Sequence, residues 1–127
     1  MAVAGIGIDH VDIEKFKSVL EKRKDRFLNR VFTEREQEAA KEKNLLLTLA
    51  GKYAAKEAFF KAVGPSKLSG ITWKDIEILN EESGKPKIFL HGRALKIANA
   101  NKIKNIFISI SHTDIIAMSQ VLLETDE

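Results

Sequence analysis

The sequence predicts an α+β fold, a small antiparallel sheet packed against helices on one face. Three observations carry that reading. Ile106, Ile108 and Ile110 alternate with Phe107, Ser109 and Ser111, the period of a half-buried strand. Ile76 and Ile78, then Ile88 and Leu90, flank Glu81-Glu82-Ser83-Gly84, a hairpin pattern. Ile13, Phe16, Leu20, Phe27 and Val31 fall within about 60° of one another at 100° per residue, the apolar stripe of one helix.

Along the chain, Ala2 to Asp9 reads as a short strand built on Val3, Ile6 and Ile8. Its two glycines, Gly5 and Gly7, predict a close backbone approach, and its end carries Asp9. The helix with the single stripe follows. Thr33-Glu34-Arg35-Glu36 then spells a capping box. Helix runs on toward Val63 with an interruption near Asn44, and Gly64-Pro65-Ser66 ends it. Residues 66 to 70 form a loop. In the hairpin, Pro86 belongs at an edge or at the start of its strand, since it cannot donate to a ladder. Gly92 to Asn99 makes a short helix. The strand through Ile110 ends at a turn over His112, Thr113 and Asp114, and Ile115 to Leu123 makes the final strand. Glu124 to Glu127 is expected to fray.

A chain of 127 residues fits one domain, taken here as 1–127. It has no cysteine, which excludes a disulfide scaffold, Cys-ligated zinc or iron–sulfur sites and a thiol nucleophile. Its apolar runs, such as Leu45 to Leu49, are far too short to span a bilayer. No secretory leader is apparent, so the expectation is a cytoplasmic protein without membrane contact.

Three places carry polar groups that folding does not require. Asp9 ends a strand among glycines; a turn or N-cap aspartate is the plain alternative. Glu57 and Lys61 share one face of a helix and read equally as a surface ion pair, but Ala54, Ala58, Phe59 and Phe60 around them describe a packed turn, so the pair is placed to line a pocket. His112 stands at a strand end, where a turn histidine is unremarkable. Two carboxylates suit a hard cation such as Mg²⁺, and lysine and histidine suit phosphate oxygens. Together these are the parts for displacement at phosphorus. Gly5-Ile6-Gly7 is too short to be a nucleotide loop.

Four segments appear in order: Gly5-Ile6-Gly7-Ile8-Asp9, Phe32-Thr33-Glu34-Arg35-Glu36, the run from Lys52 to Ala62 (KYAAKEAFFKA), and Ser109-Ile110-Ser111-His112-Thr113. In these segments the chain resembles holo-[acyl-carrier-protein] synthase, the short class of 4′-phosphopantetheinyl transferases, from about residue 3 to 124. The resemblance implies that family's fold and its Mg²⁺-dependent reaction. Phosphopantetheine passes from coenzyme A to a serine of apo acyl carrier protein, leaving adenosine 3′,5′-bisphosphate, in the service of fatty acid biosynthesis. It implies a homotrimer with interfacial active sites. Asp9 and Glu57 match the metal ligands, Glu57 the base for the serine hydroxyl, and Lys61 the lysine at the pyrophosphate. His112 and Thr113 match a segment that contacts coenzyme A phosphates. Lys52 stands where the family usually has arginine, keeping the charge but not the bidentate fork. The chain also departs from the family at Gly64-Pro65-Ser66, where Gly-Thr-Gly is common, and at Ile116, where an aromatic residue is common.

The formal charge of +3 is unevenly spread. Residues 15 to 30 hold seven basic and two acidic side chains, a local +5 that leaves −2 for the rest. On one continuous helix Lys15, Lys22, Arg26 and Arg30 fall within about an 80° arc. These four match the positions on which the family docks its acidic carrier protein, and a basic face steers such a partner. The alternative is a basic nucleic-acid-binding module using the same arc. It leaves Asp9 and Glu57 unexplained and offers few aromatics for base stacking, so no nucleic acid is expected as partner. A purely structural or oligomerisation domain would make the Asp9, Glu57, Lys61 set a coincidence.

Overall fold

The computed structural model describes residues 1–126. Its elements in chain order are β1 (Val3–Asp12), α1 (Ile13–Arg23), α2 (Asp25–Val31), α3 (Glu34–Lys41), α4 (Leu45–Val63), β2 (Ile76–Asn80), β3 (Pro86–Leu90), α5 (Gly92–Ala100), β4 (Ile103–His112) and β5 (Ile116–Thr125). Single 3₁₀ turns at Pro65–Lys67 and Trp73–Asp75 join α4 to β2. An antiparallel sheet runs β1-β5-β4, and β2 and β3 form a separate hairpin. The α+β expectation holds.

The central element is α4. Leu49, Ala50, Ala54, Ala55, Ala58 and Phe59 along it are all buried, and the small alanines let strands lie close. A Cβ on Gly5 would collide with the carbonyl oxygen of Ala62, and one on Gly7 with that of Ala58. The glycines are therefore where β1 rests directly on the helix. Because alternate residues share a face, Gly5, Gly7 and Asp9 all look toward α4, and the close approach brings Asp9 with it. One apolar cluster lies on either side: Phe59, Ile76, Ile78, Val121 and Leu123 on one, Val11, Phe16, Val31, Phe32 and Leu49 on the other.

The helix expected over residues 13–31 is broken in two. Lys24 takes φ 44° and ψ −126°, so α1 ends at Arg23 and α2 starts at Asp25. Neither glycine nor proline marks the place, which is why the pattern hid it. The break folds Phe27 back onto Phe16, with ring centroids 5.8 Å apart at 77°. The interruption near Asn44 is present: its side chain accepts from the Leu47 N–H at 3.0 Å and caps α4. The capping box at Thr33 is present too, with the Thr33 N–H donating to Glu36 Oε1 at 2.8 Å and the Glu36 N–H to Thr33 Oγ1 at 3.2 Å.

The strands run longer than the sequence predicts. β1 continues to Asp12, which caps α1 through the Lys15 N–H at 3.0 Å. β5 continues to Thr125, with Glu124 opposite both Val3 and Asn105, so the frayed tail is corrected as far as Thr125; Glu127 lies outside the described residues. Pro86 opens β3, opposite Asn80. The sheet face turned away from α4 is apolar yet uncovered. Ile6, Leu122 and Phe107 sit side by side across three strands, and Ile6, Ile8 and Phe107 are each more than half exposed.

Candidate active site

Asp9 and Lys61 meet as the fold dictates. Lys61 sits in the last turn of α4, and helical side chains lean toward the N-terminus, so its ammonium reaches back over β1. Lys61 Nζ donates to Asp9 Oδ1 at 2.7 Å. The aspartate is 16% exposed and the lysine 56%: a mostly covered carboxylate beside an open cation. The hydrogen bond and the charge of Asp9 raise the Lys61 pKa.

Glu57 lies one turn before Lys61 and is half-buried. Burial pushes its carboxyl above the ordinary value. The nearby Tyr53 hydroxyl pulls it back, the neighbouring Asp9 charge pushes it up again, and Lys61 opposes that. Tyr53 stands four residues earlier on the same face. Burial, together with the charge and hydrogen bonding of Glu57, raises its phenol to about 12, so it is a firm donor at neutral pH. Two neighbouring carboxylates, one of them raised in pKa by burial, are poised for a cation or for a proton.

The structure therefore gathers Asp9, Glu57 and Lys61. It does not bring Lys52 to them. Lys52 lies nine residues before Lys61, about half a turn around the helix, and is 2% exposed. It lines a second cleft with Arg35, Lys43, Thr48 and Asn80, where its buried Nζ has no hydrogen-bond partner. Burial lowers its pKa, against the opposing charge of Glu36. His112 and Thr113 also lie apart within the protomer. Asp9 stands opposite Ser119 and His112 opposite Ala117, so His112 is two strands across from Asp9 and nearer the turn. Thr113 spends its hydroxyl there, accepting from the Ile115 N–H at 3.1 Å and the Ile116 N–H at 3.2 Å.

The four basic side chains expected on one arc do not share one helix. Lys15 and Lys22 are on α1, Arg26 and Arg30 on α2, and the bend at Lys24 removes the single arc of four. Instead Arg26 and Arg30 join Arg23, which the helical wheel overlooked, around a cleft floored by Phe27, Val31, Tyr53 and Trp73. Tyr53, one turn before Glu57 on α4, also lines this cleft. Its i−4 relation to Glu57 was the signal available in the sequence.

Lys56, between Tyr53 and Glu57, has a different task. It is fully buried and donates to Glu36 Oε1 at 2.8 Å, to the Val31 carbonyl at 2.8 Å and to the Trp73 carbonyl at 3.1 Å. Glu36 Oε2 accepts from the Ile78 N–H at 2.9 Å. This pair ties α2, α3, α4 and β2 together.

Comparison with known proteins identifies the family. Residues 5–112 match the family model described as the 4′-phosphopantetheinyl transferase superfamily. The chain is 44% identical to the holo-[acyl-carrier-protein] synthase of Caldicellulosiruptor saccharolyticus over 126 residues, 98% of this chain and 99% of that one. It superposes on the holo-[acyl-carrier-protein] synthase structure from Neisseria meningitidis with a TM-score of 0.87 at 28% identity, covering 98% of this chain and 100% of the other. It also matches the Bacillus anthracis synthase in complex with CoA (3′,5′-ADP), with a TM-score of 0.79, 33% identity and 98% of each chain. With the family model spanning most of its length and Asp9, Glu57 and Lys61 gathered at one place, the chain belongs to the 4′-phosphopantetheinyl transferase superfamily, among its holo-[acyl-carrier-protein] synthases.

Proposed function

We propose that the chain, as one transferase domain, moves 4′-phosphopantetheine from coenzyme A to a serine of apo acyl carrier protein, using Asp9, Glu57 and Lys61. The observation that carries this reading is the meeting of Asp9 with Lys61, one turn beyond Glu57 on α4. The serine oxygen attacks the pantetheine-side phosphorus of the coenzyme A pyrophosphate, a new P–O bond forms, and the bond to the bridging oxygen breaks. Adenosine 3′,5′-bisphosphate leaves, and the serine proton passes to Glu57. Lys61, more than half exposed, meets the charge that grows on the leaving phosphate.

The donor set fits Mg²⁺. Among the described residues no cluster of three or more His, Cys, Asp or Glu side chains forms a metal cage. Mg²⁺ is held by one or two carboxylates, with phosphate and water completing its shell. Asp9 and Glu57 would hold it, and when bound it neutralises pyrophosphate charge. Lys61, beside Asp9, would face the same phosphates.

Lys52 with Lys43 offers a second phosphate contact, supported by the unpartnered Lys52 Nζ in its cleft. A homotrimer is supported by the uncovered apolar sheet face of Ile6, Ile8, Phe107 and Met118. Contact between copies would also let His112 and Thr113 of one protomer serve a neighbour's site. Among the described residues no helix is long and apolar enough to cross a membrane. The test is incubation with coenzyme A, Mg²⁺ and apo carrier protein: the carrier gains the phosphopantetheine mass. No gain, with a known transferase working in parallel, overturns the reading.

A further inference from the structure

An apolar cavity lies on the far side of α4 from Glu57 and Lys61. Phe59 and Val63 line it, and each is two residues from Lys61, about 160° around the helix. Ala62, Ile97, Ala98, Ile103 and Leu123 complete most of the wall, and all of these but Ile103 are buried. The cavity exists because small side chains face it. The last turn of α4 brings Ala62 there and α5 brings Ala98, where longer aliphatic side chains would close the gap. Its volume is about 80 Å³. A water needs about 10–15 Å³ on that scale, so there is room for about six groups the size of a water or a methylene. Walls of this kind keep water out and favour a hydrocarbon.

The polar part of the lining is Lys67 and Asn101. Lys67 Nζ donates to Asn101 Oδ1 at 2.9 Å, which ties the turn after α4 to the end of α5. Asn101 Nδ2 in turn donates to the Ile97 carbonyl at 2.8 Å. An ammonium has three N–H donors, and this one meets only a neutral amide. An adjoining groove shares Lys67, Ile97 and Asn101 with the cavity and adds Arg93 and Lys96. No acidic side chain lines either space. Among the described residues none of Lys67, Arg93 and Lys96 pairs with a carboxylate. An apolar interior thus opens onto a positive mouth, and the one ammonium shared by both matches a single negative charge. We propose that this is a binding site for a straight-chain aliphatic carboxylate about six carbons long, with its tail in the cavity and its carboxylate on Lys67. The site is independent of the transfer chemistry.

The test is a titration of the full chain with sodium hexanoate, following the methyl resonances of Ala62, Ala98, Ile103 and Leu123 by NMR. These methyls are expected to shift and to saturate with a Kd of about 1 mM. Hexan-1-ol, the same tail without the charge, binds about fivefold more weakly, the value of one part-exposed ion pair. Acetate, the charge without the tail, leaves the methyls unmoved. Lys67→Gln is the deciding variant, because its exposed position leaves folding intact. It weakens hexanoate about fivefold and leaves hexan-1-ol unchanged. Ala98→Leu, which fills the cavity, weakens both at least tenfold, by about the loss of two buried methylenes. Hexanoate shifts confined to other places, such as Tyr53 and Trp73 in the arginine-lined cleft, overturn the proposal. So do equal affinities for hexanoate and hexan-1-ol, or an unaltered hexanoate affinity in Lys67→Gln. None of these readings needs transfer activity, so they succeed or fail apart from the transferase assay.

Discussion

Lys61 Nζ lies 2.7 Å from Asp9 Oδ1, joining the last turn of α4 to the middle of β1. The lysine is mostly exposed, so the ion pair contributes little to stability, whereas a cation at a developing phosphate charge contributes much to rate. Lys61→Ala is therefore expected to lower kcat/KM by about 10²- to 10³-fold with an unchanged thermal midpoint. Steady-state kinetics beside a melting curve checks both halves.

The bend at Lys24 separates the basic side chains into two groups with different prospects. Arg26 borders the cleft next to Tyr53, and Lys15 does not. Arg26→Glu is expected to raise KM for carrier protein at least tenfold while leaving KM for coenzyme A within about twofold, and Lys15→Glu to do less, since charge reversal beside the site acts on docking directly. Kinetics with each substrate varied in turn decides it; equal effects on both KM values would place docking elsewhere.

Glu36 and Lys56 are both fully buried, 2.8 Å apart. Removing one partner leaves an uncompensated charge in the core. Lys56→Met is expected to cost about 3–5 kcal/mol of folding stability. Adding Glu36→Gln to it returns part of that loss, because the stranded carboxylate is gone. Denaturant unfolding of the two single variants and the double variant gives the cycle.

Glu77 supplies an acid-sensitive contact. Burial alone would raise its carboxyl, but the Thr33 hydroxyl at 2.6 Å, His91 at 3.1 Å and Arg35 at 3.5 Å overcome that and hold it below its usual 4.5. A carboxyl whose folded pKa is depressed contributes stability above the unfolded value and loses it as pH falls through the folded one. Wild-type stability should therefore drop as pH goes below about 4.5, and Glu77→Gln, weaker at neutral pH, should show a shallower drop. Unfolding midpoints from pH 7 down to pH 3 check the slope.

Much of this was legible in the residues. Gly5 and Gly7 announced the close approach that carries Asp9 onto α4, Thr33 and Glu36 announced a cap, and the spacing of Glu57 and Lys61 put both on one face. What escaped depended on tertiary context. Lys24 breaks a helix at a residue with no breaking tendency, because packing of Phe27 on Phe16 and Tyr53 outweighs the cost of a positive φ. Glu36 reads locally as a cap, yet its second oxygen serves β2, 42 residues away. Buried Glu77 follows Ile76 in a strand covered on both sides, where alternation predicts an exposed polar residue. Arg23 joins the cleft of Arg26, Arg30 and Tyr53 only because the bend turns α2 back.

The central claim is that Glu57 accepts the serine proton in phosphopantetheine transfer. Glu57→Gln retains shape and hydrogen-bonding capacity while removing the charge. Mass spectrometry of apo carrier protein after reaction with coenzyme A and Mg²⁺ measures it directly. The account predicts full conversion by the wild type and none by Glu57→Gln over the same period. It also predicts a higher thermal midpoint for the metal-free variant at neutral pH, since burial disfavours the ionised carboxylate it replaces. Conversion by a folded Glu57→Gln at the wild-type rate would contradict it.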